Sequence, residues 1–551
     1  MAPQMPRRHA LCVRPRLNPE AAAVLNTVVN EWVDTLRLHC DVTEIAEDFD
    51  FAKVCEAIRP DIVIFDTAHW GRPQLLEISN LDRFAHIPRV LYFNCDPHDP
   101  FRPATLSMLH RYGIEAIFTM GDETIQQLRG LERHPVFILP KFIDETVFKD
   151  RGLDKTIPVS IFSAHLVPSF YPWRAQITEE IQKIIPTLLY PHPGYNNLRT
   201  DVFEVRGEAY SALISQSMFS VADTTRLDYA VRKHLEIPGS GTVLVAPNSP
   251  ALHPYGFVDM ENCVLGEPMD IYRKIIHLAR DRAHYERVRR AGYALVHGTY
   301  TRARWTFMLD WLECRLKMAL GEAVRQTRRF GPFEITPRDA ASPSVAGLHL
   351  TDSPLSARLR QIRDLILDGR AEPPGAKKNL GVAGELIHEV MSWVNHTNEP
   401  IFLAGMICLL MGDMPQAKKM IAARSIMHQA ADPRYTLLDP VEAAWLMLIA
   451  ALTGDGALLE QMRRQSATTP HVALRRVAWL ISSRGQGALP QDPTLEGPQP
   501  GDWLSMHWLG EEDFAQWRDL VRRILRANRR GAQADALESL EHRHEGAARM
   551  N

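Results

Sequence analysis

The stretch RKHLEIPGSGTVLVAPNSP, residues 232–250, decides how the chain is to be read. A charged run reaches one acid, Glu236, and Pro238 follows. The tripeptide Gly239-Ser240-Gly241 then leads into the apolar run Thr242–Ala246. A helix that stops at glycines and feeds a short β-branched strand is the αβ half of a parallel β-α-β unit. Eight positions before Glu236 stands Asp228, in DYAVRKHLE. On a continuous helix that spacing is a little over two turns, so the two carboxylates are expected near one face. Glycines at the helix end are expected to leave room for a ligand to approach the backbone.

The same alternation extends in both directions. HALCVRP, PDIVIFD, IPRVLYFNCD, IEAIFTM and PVFILP read as short buried strands, with helical segments between most of them. A second series follows: IPVSIFSAH, PTLLYPHPGY, SMFSVAD and TVLVAP, separated by WRAQITEEIQKII, GEAYSALISQ and LDYAVRKHLE as helices. Continuous apolar strands alternating with helices indicate parallel sheets covered on both faces. The expected organisation is α/β, with two Rossmann-like lobes at 1–150 and 151–330 and a cleft between them. The helix TRARWTFMLDWLECRLKMAL is expected to pack back across the lobes. Residues 331–353 are rich in Pro, Ser and Ala and read as a linker. Beyond them, 354–551 is nearly all helical. Two segments there repeat an apolar helix, MGD or TGD, and a second helix, the pattern of a tetratricopeptide-like or other helical array.

Composition narrows the function. The chain has 551 residues, 45% apolar and 23% charged, with net charge −3. That is ordinary for a globular protein and supplies no basic field for nucleic acid. The seven cysteines are scattered without a C-x-x-C pair, which fits a reducing compartment and gives no zinc or disulfide framework. The N-terminal segment has no apolar h-region, and the most apolar stretch, PIFLAGMICLLMGDM, is too short to span a bilayer. The expectation is a cytoplasmic protein with no transmembrane segment, peripheral membrane contact remaining open.

Polar residues just past parallel strands lie where α/β folds bind ligands. In FNCDPHDPFRP, Asp96, His98 and Asp99 crowd such a turn and could serve as a general base with an acid orienting the histidine. His69 and Trp70, in DTAHWGRP, could line an acceptor side. Tyr210 and Ser211 lie on a helix, where packing is the expectation for Tyr210.

EIPGSGTVLVA resembles the EA-A-GtPVva segment of group-1 (GT4-like) glycosyltransferases of the GT-B fold, which follows a Glu-x7-Glu motif. The second Glu of that motif falls on Glu236 and the first on Asp228, where this chain carries Asp. DIYRKIIHLARDRAHYERVRRAGYALVHGTYTRARW resembles the tail of the CgeB-like subgroup, with Arg304 as the arginine after its "Ty". FILPKFIDETVFK resembles the hinge of that fold, and IFSAHLVPSFYPWRAQITEEI the first strand-loop-helix of its donor lobe.

The resemblance implies a first, acceptor lobe and a second, nucleotide-sugar donor lobe. The implied substrate is a nucleotide-diphosphate sugar, with UDP the expected nucleotide. Glu236 would accept from the ribose diol, and Asp228 would lie near the donor sugar. Arg174, Arg232 and Lys233 would meet the diphosphate. Gly239, Ser240 and Gly241 would border the donor, and His192, Gly194 and Tyr195 would sit over the base or diphosphate. No resident cofactor and no metal are expected. The acceptor is expected to be a protein or peptide recruited by the helical region, or a glycan. A nucleotide-sugar epimerase on the same fold and a non-catalytic binding scaffold are the alternatives.

Overall fold

A computed structural model describes residues 7–14, 23–66, 76–93, 108–109, 111–120, 134–163, 170–191, 205–224, 226–338, 344–346, 353–368, 375–393, 398–423, 438–468, 471–483, 509–510 and 512–537. Its first sheet is built from β1 (His9–Val13), β2 (Asp41–Ile45), β4 (Ile62–Asp66), β6 (Arg89–Phe93), β7 (Ala116–Thr119) and β8 (Val136–Ile138). Their order is β2-β1-β4-β6-β7-β8 and every pairing is parallel. The short strands β3 (Phe49–Asp50) and β5 (Ile78–Ser79) pair separately. The second sheet contains β9 (Ile157–Ser163), β10 (Thr187–Pro191), β11 (Ser217–Val221), β12 (Val243–Ala246) and β13 (Val264–Leu265). It is also parallel, in the order β10-β9-β11-β12-β13.

The alternation of side chains across a strand divides each core in two. Ile62 and Ile64 of β4 join one cluster of the first lobe, and Val63 and Phe65 join the other. In the second lobe Leu244 and Ala246 of β12 face one cluster, and Val243 and Val245 the other. Both faces are therefore covered, which is why the strands read as continuous apolar runs.

Helix Phe307–Lys317 follows the second lobe but buries Met308, Trp311 and Leu312 in the core of the first. The chain thus crosses between lobes twice. The crossings lie side by side: Ile143 N donates to Tyr300 O at 2.9 Å, and Arg302 N donates to Ile143 O at 3.0 Å. An antiparallel hairpin, β14 (Glu322–Gln326) with β15 (Phe333–Pro337), comes next, so the segment expected as a linker opens with a strand. Gln326 exchanges two hydrogen bonds with the backbone of Ile138 on edge strand β8, at 3.0 and 3.1 Å. That contact covers an otherwise open sheet edge.

The remaining described residues are helical. Helices Glu399–Leu410 and Met414–Ile421 turn at Gly412, with Asp413 capping the second, and helices Pro440–Thr453 and Gly456–Thr468 turn at Gly454, with Asp455 accepting from Leu458 N. The repeated "GD" is therefore turn chemistry: the glycine adopts positive φ and the aspartate accepts from the next helix's amides. This all-helical region docks on the second lobe through the loop before residue 233. Leu227 is fully buried in its core, beside Leu355 and Leu359. Leu355 N donates to Arg226 O at 3.3 Å, and the Arg226 guanidinium lies 3.9 Å from the ring centre of Trp393. The architecture is two Rossmann-like lobes of the GT-B kind with a helical extension. Among the described residues, no helix is long and apolar enough to cross a membrane.

Candidate active site

The expected helix over 227–236 is shorter than its periodicity suggests. It runs Lys233–Gly239, and Asp228 precedes it in a turn with φ of 51°. Asp228 and Glu236 therefore do not share a helix face. The Asp228 carboxylate instead accepts from Ser249 Oγ in the loop after β12. It ties two loops at the carboxyl edge of the second sheet together.

The glycines also differ from expectation. Gly239, Ser240 and Gly241 are buried against protein. A Cβ on Gly239 would come within 2.6 Å of Ile143 Cδ1, on the first interlobe crossing. Gly241 has φ of 75°, and a Cβ there would meet the Asp150 side chain at 2.6 Å. Ser240 Oγ shares a hydrogen bond with Ser211 Oγ at 3.2 Å. Small residues are required because the crossing segment packs directly on this helix end. They do not hold a path open for a ligand.

Glu236 lies in the first turn of its helix and is nearly buried, at 8% exposure. Tyr210, on helix Gly207–Ser215, points its hydroxyl at Glu236 Oε2 over 3.5 Å. The Tyr210 ring packs edge-on against Phe148 and Phe162, so the residue serves both core and site. Burial, reinforced by the neighbouring carboxylate, holds its phenol well above the usual pKa, and it remains a hydrogen-bond donor.

Arg232 stands one residue before the helix. Its Nε lies 3.4 Å from Glu236 Oε1, and its guanidinium reaches Glu31, with one contact at 2.8 Å. Glu31 belongs to helix Ala23–His39 of the first lobe. Glu31 carries no local signal in the sequence, because its partner Arg232 is about two hundred residues away. Burial raises the Glu31 carboxyl while Arg232 opposes that shift.

Lys233 sits beside this pair. Burial depresses its ammonium to about 8, with Glu236 opposing the shift and Arg174 adding to it. No hydrogen bond or ion pair joins Lys233 to another described residue. Arg174 is buried in the first turn of helix Pro172–Gln182, its guanidinium stacked 3.6 Å from the ring centre of Tyr171. Its backbone N donates to Asp223 at 3.0 Å, just past β11. The Asp223 carboxylate thus caps that helix start and complements its dipole.

The structure therefore brings Arg174, Arg232, Lys233 and Glu236 together and adds Tyr210 and Glu31. It places Asp228 on a neighbouring loop. Asp96, His98, Asp99, His69, Trp70, His192, Gly194 and Tyr195 lie outside the described residues. Arg304 is exposed, and its neighbour Arg302 is the one built in, bonding Asp144 at 2.6 Å and Thr35 at 3.2 Å. The six described cysteines are all free.

At the first lobe's carboxyl edge, Arg14 and Asp66 form a buried pair at 3.3 Å. Trp32 Nε1 donates to the same Asp66 oxygen at 3.0 Å. The other arms of Arg14 bond Glu44, Asn30 and the Val29 carbonyl.

No protein-family model matches the chain, and no curated protein matches it. Solved structures with similarity include the sucrose-phosphate synthase of Thermosynechococcus elongatus, at 10% identity and TM-score 0.37, covering 56% of this chain and 99% of that one. A glycosyltransferase from Rickettsia africae has 11% identity and TM-score 0.35, covering 57% and 100%. Anabaena HepE in complex with UDP has 11% identity and TM-score 0.33, covering 55% and 98%.

Proposed function

We propose that this chain is a glycosyltransferase using a nucleotide-diphosphate sugar, with UDP as the nucleotide. The observation that carries the reading is Glu236: an almost buried carboxylate at the carboxyl edge of a parallel sheet, beside a lysine with no acceptor of its own among the described residues. A carboxylate has two acceptor oxygens and can receive both hydroxyls of a ribose diol. Lys233, with Arg174 near it, offers positive charge to a diphosphate. In such a transfer the leaving diphosphate gains charge as the glycosidic bond breaks, and a pre-placed cation stabilises it. Arg232 is already engaged by Glu31 and Glu236, so its role is to join the lobes and orient Glu236. Asp228 is assigned to the loop that borders the sugar. The acceptor is a protein, peptide or glycan presented along the helical region, since helical arrays offer extended surfaces. In the sequence, the Glu236 segment resembles the donor motif of group-1 enzymes.

The test is UDP binding by calorimetry. Glu236→Ala is expected to weaken it by about 1.5–3 kcal/mol, the range for a hydrogen bond to a charged group. Unchanged affinity in a folded variant would overturn the ribose assignment. Inversion of the sugar without transfer would mark an epimerase, and absence of all nucleotide binding by the wild-type chain would mark a scaffold.

A further inference from the structure

A second cluster of titratable groups lies away from Glu236. His277 lies in the last turn of helix Pro268–Arg280, and His284 in the first turn of helix Arg282–Thr299. Asp281 is the single residue between the two helices, and its backbone N donates to His277 O at 2.9 Å. His277 Nε2 and His284 Nδ1 are 3.2 Å apart. One ligand atom from each of the three residues falls within 4.8 Å of the others. The corner lies by Met260, ahead of β13, and near Met218 at the start of β11. That is the amino edge of the second sheet, opposite the edge that carries Glu236.

Two features go beyond mere proximity. His284 Nε2 lies 3.1 Å from the carbonyl oxygen of Met260. A carbonyl can only accept, so Nε2 carries the proton and Nδ1 presents its lone pair toward His277. Histidine ligands are commonly oriented in this way, with the second nitrogen bonded to a backbone carbonyl. The nitrogen spacing also fits: two imidazoles on a tetrahedral zinc with bonds of about 2.0–2.1 Å stand about 3.3 Å apart. Asp281 Oδ1 accepts from His284 N at 2.9 Å, which fixes the carboxylate and leaves its second oxygen for a ligand.

We propose that His277, Asp281 and His284 form a binding site for a borderline transition-metal ion such as zinc, with water completing the tetrahedron. Imidazole nitrogen with one carboxylate suits that class and not magnesium or calcium, which take oxygen. The ion bridges two consecutive helices across their corner. The second helix runs beneath the donor segment: its Val296 and His297 meet Gly239, and its Gly292 packs under Pro238. The site is therefore structural, and it does not depend on the proposed transferase chemistry.

The experiment is a titration of the full chain, in metal-free buffer, with zinc chloride. The wild type is expected to bind with an affinity that falls at least tenfold in His277→Ala and again in His284→Ala. Both variants should keep the wild-type melting temperature without zinc, and zinc should raise that temperature only in the wild type. Equal zinc affinity in wild type and the double variant would overturn the proposal. Cobalt(II) gives a reading on the wild type alone. Intense visible absorption of a four-coordinate complex is expected, and the weak spectrum of six-coordinate cobalt would overturn it. The alternative, a proton shared between the two imidazoles with no metal affinity, appears as unchanged histidine NMR signals on zinc addition.

Discussion

The carboxyl edges of the two lobes are built on opposite plans. In the first, Arg14 joins Asp66 and Glu44, Trp32 donates to Asp66, and these four residues all come from the same lobe. In the second, the groups around Glu236 lean on other parts of the molecule. Arg232 is held by Glu31 of the first lobe, and the loop carrying Asp228 is pinned by Leu227 in the core of the helical region. Lys233 has no hydrogen bond or ion pair to another described residue. One edge is a finished structural network; the other is assembled from three regions and keeps a cation in reserve. The geometry of a ligand site on the second edge therefore depends on contacts outside its own lobe.

The largest expected effect breaks the first edge. Arg14→Ala leaves Asp66 buried without its cation and should cost about 3–5 kcal/mol in denaturant unfolding. Nucleotide affinity of the folded fraction should stay unchanged. A change in affinity with little loss of stability would reverse the assignment of the two edges.

Leu227→Ala should cost about 2–5 kcal/mol, as for other large-to-small core changes. Because Leu227 links the helical region to the second lobe, the variant should also lose the coincidence of unfolding monitored in the two regions. Retention of a single cooperative transition would show that the docking does not rest on this residue.

Lys233→Met tests the reserve cation. It should weaken UDP binding by about 1.5–3 kcal/mol, the range for hydrogen bonds to charged groups. The wild type should bind UDP more weakly as pH rises through about 8, where the depressed Lys233 ammonium loses its proton, and the variant should lack that step. Stability moves the other way. Between the folded value near 8 and the ordinary lysine value, the unfolded chain binds more protons, so the Lys233 contribution to stability rises with pH across that window. Pure titration of the ligand would give the same profile in both proteins.

The smallest effect concerns the bridge. Glu31→Gln removes one negative charge near the proposed diphosphate and should strengthen UDP binding by about threefold, less at high salt. Weaker binding in this variant would mean that Glu31 orients Arg232 for the ligand.

Both parallel sheets were legible because strands buried on both faces must be apolar throughout. β2 was not, because Asp41–Ile45 is an edge strand in which no residue is fully buried. The stretch 227–236 misled for a different reason. Leu227 and Tyr229 face the helical region, whereas Ala230 and Leu235 face the second lobe. Two cores on either side of an irregular loop produced a spacing that imitates one helix. The placement of Glu236 on a helix that feeds β12 was legible, since a turn of small residues leading into a buried strand is a local pattern. Glu31, the double role of Tyr210 and the anchoring of Arg302 were not, because each depends on a partner distant in sequence.

The paired crossings at Ile143 and Tyr300–Arg302 have a mechanical consequence. Two segments bonded side by side at this one bridge form a short ribbon, and a ribbon bends across its flat face more readily than it shears along its length. Relative motion of the lobes is thereby expected to reduce to opening and closing about one axis, with sliding suppressed. Gly239 lies against that ribbon at a place where any side chain would wedge it. The residue that began as a turn signal thus acts as a bearing surface for the joint.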